Sequence, residues 1–259
     1  MSDSHRHDLI LEHLRASPFA SARDLSDHLR VSVATVRRDI DKLHDQGLAR
    51  KVYGGISAID GATAHGVFAR TYAERSDVDV AAKNAIAAEA AAMVQDGDAI
   101  IVHGGSTCFR LGEQIARRNI RLFTNSMPLA AMVGEVGTCA LTVAGGELHR
   151  EPLILHGPAS GAPFFASKFF LSAQGADERG LLESHPLLVD VASRYAECAD
   201  RIVVLIDSSK FAVGARQVSL PWSRIDTLIV DDGLAKEHRA MLEGKGVDVR
   251  IVAVRSSDA

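Results

Sequence analysis

A chain of 259 residues with 47% hydrophobic and 24% charged side chains has room for two domains and a globular, not a disordered, composition. No apolar run reaches the roughly 18 residues that a membrane-spanning helix needs. Residues 1–8 also lead into no apolar stretch, so no membrane partner or secretory leader is expected and the expected compartment is the cytoplasm.

The net charge of −4 would by itself argue against a nucleic-acid partner, but it is unevenly spread. Residues 1–58 hold nine basic and eight acidic side chains, a net +1, whereas residues 59–259 hold 20 and 25, a net −5. Within 30–51 six basic residues face three acidic ones, a strip sufficient for phosphate contacts.

Residues 7–16 place Ile10, Leu11 and Leu14 on one helical face. Ser17, Pro18 and Phe19 interrupt that pattern, and Ser21 caps a second helix that turns Leu25 and Leu29 inward. Residues 30–32 make a connection of the length that a helix-turn-helix needs. A third helix opens at Ser32, and its Val33, Val36, Ile40 and Leu43 follow the spacing of a buried stripe. At about 100° per residue, Ala34, Arg38 and Lys42 point away from that stripe. Thr35 lies beside them and Arg37 nearer the edge of the core face.

A basic, glycine-ended hairpin over 48–55 follows, completing the order of a winged helix-turn-helix. Such a unit reads double-stranded DNA by laying the third helix in the major groove. Ala34 and Thr35 are short enough to let the helix approach base edges, and Arg38 matches guanine O6 and N7. Arg37, Lys42, Arg50 and Lys51 suit phosphates, which set register without reading sequence. With the capping Ser32, the expected DNA-contacting set is Ser32, Ala34, Thr35, Arg37, Arg38, Lys42, Arg50 and Lys51.

Several residues here form a recognisable string: Arg6-His7, then Val31, Ser32, Thr35, Arg37, Arg38 and Asp39, then Leu43, Gly47-Leu48 and Gly54-Gly55. In them the chain resembles the DeoR family of bacterial sugar-metabolism regulators. The expected division is a DNA-binding domain over 1–58, a linker over 59–77 and an effector-binding domain over 78–255.

Beyond the linker, helical and strand-like segments alternate, as in an α/β domain with a mostly parallel sheet. Strands are expected over 99–102, 121–124, 141–144, 169–172, 202–207, 227–230 and 249–254. Helices are expected over 81–94, 107–117, 127–133, 187–199 and 234–244. Ligands of such sheets bind at the carboxyl ends of the strands. There the chain places His103-Gly104-Gly105-Ser106-Thr107, Thr124-Asn125-Ser126, Gly145-Gly146, Gly175-Ala176-Asp177 and Asp207-Ser208-Ser209-Lys210. Glycines that admit an anion, hydroxyl donors and a helix N-terminus together suit a small phosphorylated ligand.

Neither GxGxxG nor GxxxxGK[ST] occurs, so a dinucleotide or P-loop site is not expected. The three cysteines are far apart and the histidines lack ligand spacing, so no metal or other cofactor is expected. His149, Glu151 and His185 are further candidates for the cleft lining. Trp222 is expected as a packing anchor, and Asp177 with Glu183 would imitate an acid/base pair if the fold brought them together.

These loops too resemble the DeoR family, whose effector domain shares its fold with ribose-5-phosphate isomerase. That likeness implies a sugar phosphate seated on Gly105, Ser106 and Thr107, helped by Asn125, Ser126 and Lys210. The expected effector set is His103, Gly104, Gly105, Ser106, Thr107, Asn125, Ser126, Gly175, Asp177 and Lys210. The chain departs from the family in having His103 where an aspartate is usual. It also lacks the usual lysine in 187–199, where Arg194 is the one basic residue. The glycine and Thr-Asn-Ser loops look closest to the L-ascorbate-type branch.

The resemblance implies a regulator, a repressor of a carbohydrate catabolic operon, whose operator binding answers to a phosphorylated sugar. A homodimer or homotetramer is expected, since one recognition helix supplies little specificity alone. The alternative reading is a sugar-phosphate isomerase-like enzyme with a fused DNA-binding head, because fold does not determine function. A DNA binder with no effector is a third.

Overall fold

The computed structural model describes residues 3–16, 19–46, 48–52, 55–58, 72–157 and 162–254. Gly47, the Tyr53-Gly54 end of the wing, residues 59–71 of the expected linker and the side chain of Arg50 lie outside that description. The chain divides into two compact units, Met1–Phe68 and Ala69–Ala259.

The smaller unit comprises α1 (Asp3–Ala16), β1 (Phe19–Ser21), α2 (Ala22–Leu29), α3 (Val33–Asp45), β2 (Ala49–Val52) and β3 (Gly55–Ala58). Ser21 and Ser32 cap α2 and α3, each accepting from a backbone N–H three residues on. Between these helices Arg30 takes a left-handed conformation (φ 54°), and Ser26 Oγ donates to the Val31 carbonyl at 2.6 Å, which closes the turn. Ile10, Leu14, Leu25, Leu29, Val36, Ile40, Leu43 and Ile56 form the core.

The segment read as a mere interruption supplies β1, which pairs with β3 in an antiparallel sheet ordered β1-β3-β2. Backbone approach is close there: a Cβ on Gly55 would lie 2.1 Å from the Ala20 carbonyl oxygen.

One charged pair is built into this core. The Asp39 carboxylate is 1% exposed and takes both arms of the Arg6 guanidinium, Nε at 2.8 Å and Nη2 at 2.9 Å, with His7 Nε2 3.2 Å away. Burial pushes the Asp39 carboxyl up, but the hydrogen bonds and charge of Arg6, then of His7, outweigh it and hold the group below its ordinary 3.8. The pair pins α1 against α3.

The larger unit opens with α4 (Tyr72–Ser76), a helix lying where the linker was expected, and α5 (Val80–Ala92). Then follow β4 (Ala99–Val102), α6 (Ser106–Ile115), β5 (Arg121–Thr124), α7 (Met127–Val136) and β6 (Ala140–Val143). A hairpin of β7 (Glu147–His149) and β8 (Ile154–His156) precedes β9 (Lys168–Leu171), β10 (Gly175–Ala176) and β11 (Gly180–Glu183). The remaining elements are α8 (Pro186–Ala196), β12 (Ile202–Leu205), β13 (Gln217–Pro221), β14 (Thr227–Asp231), α9 (Lys236–Gly244) and β15 (Asp248–Val252).

Seven strands form one parallel sheet in the order β15-β14-β12-β9-β4-β5-β6. Its inner strands β4, β9, β12 and β14 are mostly apolar and buried because both faces are covered, whereas the edge strands β6 and β15 are partly exposed. Ile101, Phe123, Phe169 and Val204 face Val191 and Tyr195 of α8, while Ile100, Val102, Phe170 and Val203 face α5 and α6. A small antiparallel sheet, β10-β11-β13, carries Trp222 beside it, buried, with Nε1 donating to the Asp177 carbonyl at 2.6 Å. Among the described residues no helix is long and apolar enough to cross a membrane.

Arg6→Met, which keeps the side-chain stem but strands a buried carboxylate, should destabilise the smaller unit by roughly 3–5 kcal/mol in its urea transition. A loss below about 1 kcal/mol would mean that solvent or His7 satisfies Asp39 instead. Because the folded pKa of Asp39 lies below 3.8, its contribution in the native chain is complete above that value. Acid should withdraw that contribution as pH falls through the lower folded pKa.

Candidate functional sites

The outer face of α3 is read directly from its burial. Val36, Asp39, Ile40 and Leu43 are buried, Ala34, Arg37, Arg38, Asp41 and Lys42 are exposed, and Val33 and Thr35 lie between. Arg37 thus stands in solvent and not at the core edge. Ser32 Oγ accepts from the Thr35 N–H at 3.2 Å and lies 2.9 Å from the Thr35 hydroxyl, so the first turn is held rigid. Among the described residues Arg37 and Arg38 have no ion-pair partner, whereas Lys51 of β2 pairs with Asp41. Both partners of that pair are exposed, and it therefore gives way cheaply to a competing anion.

In the larger unit the chain crossings diverge between β4 and β9. From β4 the chain proceeds through α6 to β5 and β6, whereas β9 leads to β12, β14 and β15 on the other side. Such a switch point leaves a crevice at the carboxyl ends of the two strands. Gly104 and Gly105 occupy it. Gly105 has φ 150°, and a Cβ there would lie 3.3 Å from the Ser172 Cβ; one on Gly104 would lie 2.3 Å from Ile154 Cγ2.

Gly105 is the N-cap of α6, no side chain caps this ten-residue helix, and Ser106 and Thr107 form its buried first turn. The uncapped N–H groups and the helix dipole make that end attractive to an anion.

The next strand end is bound to this loop. Gly104 N–H donates to Asn125 Oδ1 at 3.1 Å, and Ser126 caps α7 by accepting from Leu129 N–H. The β7–β8 hairpin folds over both: Leu155 N–H donates to the Asn125 carbonyl and Met127 N–H to the Leu153 carbonyl. The segment joining its strands reaches α4, where Glu151 Oε2 accepts from Tyr72 N–H at 2.8 Å. His149 and His185 are brought together, ring centroids 4.5 Å apart, with His156 6.3 Å from His149. Burial first, then the neighbouring imidazoles, lowers the pKa of His149. Among the described residues no group of three or more His, Cys, Asp or Glu side chains is arranged to hold a metal ion.

Charged residues missed in the sequence complete the surroundings. Lys83 of α5 is 4% exposed, and its Nζ donates to the carbonyls of Arg75 and Val78, fixing the turn that presents Arg75. Burial pushes Lys83 below the ordinary lysine value; Asp207 opposes that shift, while Lys210 and Arg110 add to it. Burial likewise lowers Arg75, countered by Glu151 and Glu183. Glu183 is raised by burial and pulled back by hydrogen bonds from the Ser184 and His185 N–H groups and by the charges of Arg75 and Lys210. These shifts mean that Arg75, Lys83 and Lys210 feel one connected field, a mixed basic and acidic set. A lone lysine in the alanine-rich run 81–92 was the available signal. Arg75 had none, because it stood in the expected linker.

Other expected residues fall elsewhere. Asp177 sits at the β10–β11 turn and pairs with Arg179 Nη2 at 2.7 Å. Glu183 lies at the far end of that hairpin, so the fold does not join the two as an acid/base pair. A Cβ on Gly175 would lie 2.0 Å from the Val213 carbonyl oxygen, so that glycine permits a close backbone crossing. In the loop after β12, Ser208 N–H and Oγ both donate to Asp231, and Ser209 Oγ donates to Asp207. Cys108 is buried, which pushes its thiol up to about 12.

Comparison with known proteins follows this division. Residues 6–62 match the DeoR-like helix-turn-helix domain and residues 78–232 the DeoR C terminal sensor domain. The HTH-type transcriptional regulator UlaR of Shigella dysenteriae is 27% identical over 251 residues, covering 96% of this chain and 99% of that one. Among solved structures, ribose 5-phosphate isomerase A from Methanocaldococcus jannaschii overlaps 49% of this chain and 52% of its own, at 20% identity and TM-score 0.36. The sorbitol operon regulator SorC from Klebsiella pneumoniae overlaps 97% of each chain at 12% identity and TM-score 0.31.

Lys83→Met keeps the apolar stem and removes the donors to two carbonyls. It should cost about 2–3 kcal/mol, seen as a lower melting temperature of the larger unit. An unchanged melting curve would mean that water already satisfies those carbonyls.

Proposed function

Because this chain belongs to the DeoR family, carrying both its helix-turn-helix and its sensor domain, we propose that it represses a carbohydrate catabolic operon under the control of a phosphorylated sugar. Arg38, with Ala34 and Thr35, reads base edges in the major groove. Ser32, Arg37, Lys42, Arg50 and Lys51 hold the phosphates, Lys51 exchanging Asp41 for the DNA backbone. The operator-bound form is a homodimer or homotetramer, and no catalytic step belongs to this reading. The DNA-binding domain covers 1–58 and the effector domain 78–255, with α4 from the intervening stretch belonging to the effector side.

The observation that carries the effector half is the uncapped α6, whose first turn faces the crevice between β4 and β9. A phosphate there would take the free N–H groups of Gly105, Ser106 and Thr107, with Arg75 and Lys210 supplying charge and Lys83 holding Arg75 in place. Gly104 and Ser126 shape the loop. Gly175 and Asp177 act only indirectly, through the small sheet. A ligand shifts operator binding only by preferring one of two conformations, and the phosphate must therefore bind the DNA-competent and incompetent forms unequally.

The test is fluorescence anisotropy of DNA from upstream of this chain's own gene, against excess random competitor, with and without a mixture of pentose and hexose phosphates. Specific binding that the mixture alters is the expected result; specific binding indifferent to it would remove the effector class, and no specific binding would return the enzyme reading. Arg38→Ala should lose roughly ten- to hundredfold in operator preference. Lys51→Ala should instead weaken binding to all DNA and lower the salt slope by about 1. Ser106→Glu should abolish the response to sugar phosphates and leave operator binding intact.

A further inference from the structure

Three residues with a buried, unpartnered polar atom are gathered behind the glycine loop, on the sheet face that meets α8. His103 Nε2, Asn125 Nδ2 and Tyr195 Oη have no hydrogen-bond partner among the described residues. Their residues are 6%, 0% and 1% exposed. Buried polar atoms are almost always satisfied, because leaving one unpaired costs its full desolvation.

The three residues adjoin. Val102 pairs in register with Thr124, which sets His103 and Asn125 side by side at the ends of β4 and β5. The Tyr195 ring packs edge to face on His103, centroids 6.2 Å apart, and on Phe123 of β5, 5.3 Å apart, two residues before Asn125.

Their hydrogen-bonding polarity is determined. Asn125 Oδ1 already accepts from Gly104 N–H, so the free end of that amide is a donor. His103 Nδ1 lies 3.0 Å from the Gly104 carbonyl oxygen, which can only accept. The proton therefore sits on Nδ1, and Nε2 presents a lone pair. Burial lowers the His103 pKa to about 4, with no charged neighbour contributing, so the imidazole is neutral near pH 7. Tyr195 adds a hydroxyl that both donates and accepts, and burial keeps it protonated by pushing its pKa well up.

An uncharged donor, an uncharged acceptor and a phenol suit one kind of group. A carbinol hydroxyl donates to the imidazole while accepting from the amide. A carboxylate would face the imidazole lone pair, and an ammonium would face the amide N–H with nothing to accept it.

We propose that His103, Asn125 and Tyr195 form a subsite that takes a hydroxyl of the effector's sugar portion and selects which sugar phosphate this chain senses. This rests on the sugar-phosphate reading above. It gives Asn125 a role at the hydroxyl-bearing end of the ligand, while α6 holds the phosphate. A site built to hydrogen-bond a hydroxyl rejects ligands that lack it, since its own polar groups are then left unpaired.

The experiment is isothermal titration calorimetry of the full chain with inorganic phosphate and with individual pentose 5-phosphates and hexose 6-phosphates. In the native chain the best sugar phosphate should bind at least about tenfold tighter than inorganic phosphate. Tyr195→Phe removes one oxygen and keeps the ring, and His103→Phe removes the acceptor. Each should erase most of that advantage, by roughly three- to tenfold or more, with inorganic phosphate unchanged. His103→Gln, which restores an acceptor, should recover part of it, and this separates ligand contact from a packing role. If Tyr195→Phe and His103→Gln both keep the full native preference, the three atoms are satisfied by buried water and the subsite does not exist. If the native chain binds neither inorganic phosphate nor any sugar phosphate, the effector reading itself fails, and that result is distinct from the first.

Discussion

The crevice between β4 and β9 is the constraint on which the larger unit depends. Two neighbouring parallel strands send their connections to opposite sides of the sheet, so no helix covers their shared carboxyl end. What enters the gap must be backbone. Gly104 and Gly105 fill it because Ile154 and Ser172 leave little or no room for a Cβ. That approach places the first turn of α6 at the opening, where its N–H groups lack a capping side chain. The proposed seat for an anion thus rests on topology before any charged side chain is considered.

Charge is then handled differently at depth and at the surface. Asp39 and Lys83 are both buried, and each is tied to groups that satisfy its hydrogen bonds: Asp39 to the Arg6 fork, Lys83 to two carbonyls. Buried charges of this kind hold geometry, since removing one partner leaves the other stranded in a medium of low polarity. The residues proposed to meet DNA or phosphate are different. Arg38 and Lys51 stand in solvent, where a charge is inexpensive to keep and available to a partner. The Arg-Arg-Asp string of α3 contains both kinds: two arginines turned outward and an aspartate turned in to bind α1.

Much of this was legible from residue order. The third helix, its buried stripe and its outward face follow from spacing, and β4 and β5 span the expected 99–102 and 121–124. The shortest of the strands missed in the sequence share a cause, which β11 and β13, four and five residues long, do not. β1, β7, β8 and β10 are two or three residues long, too short for any period, and exist because a partner strand supplies their hydrogen bonds. Arg75 and Lys83 bear on the site through a turn whose shape depends on one buried ammonium. The tautomer of His103 depends on a carbonyl next to it in sequence, yet its orphaned nitrogen is apparent only once Tyr195, 92 residues away, is packed against it.

On the proposed reading, operator and phosphorylated sugar compete for, or cooperate through, one conformational equilibrium. Such coupling is reciprocal by thermodynamic necessity. The direct measurement is the affinity of the most effective sugar phosphate for the chain alone and for the chain saturated with its operator. Two different dissociation constants are expected, their ratio equal to the factor by which that sugar phosphate changes operator affinity. Equal constants would contradict that reading, and the sensor unit would then have no part in controlling the DNA-reading one.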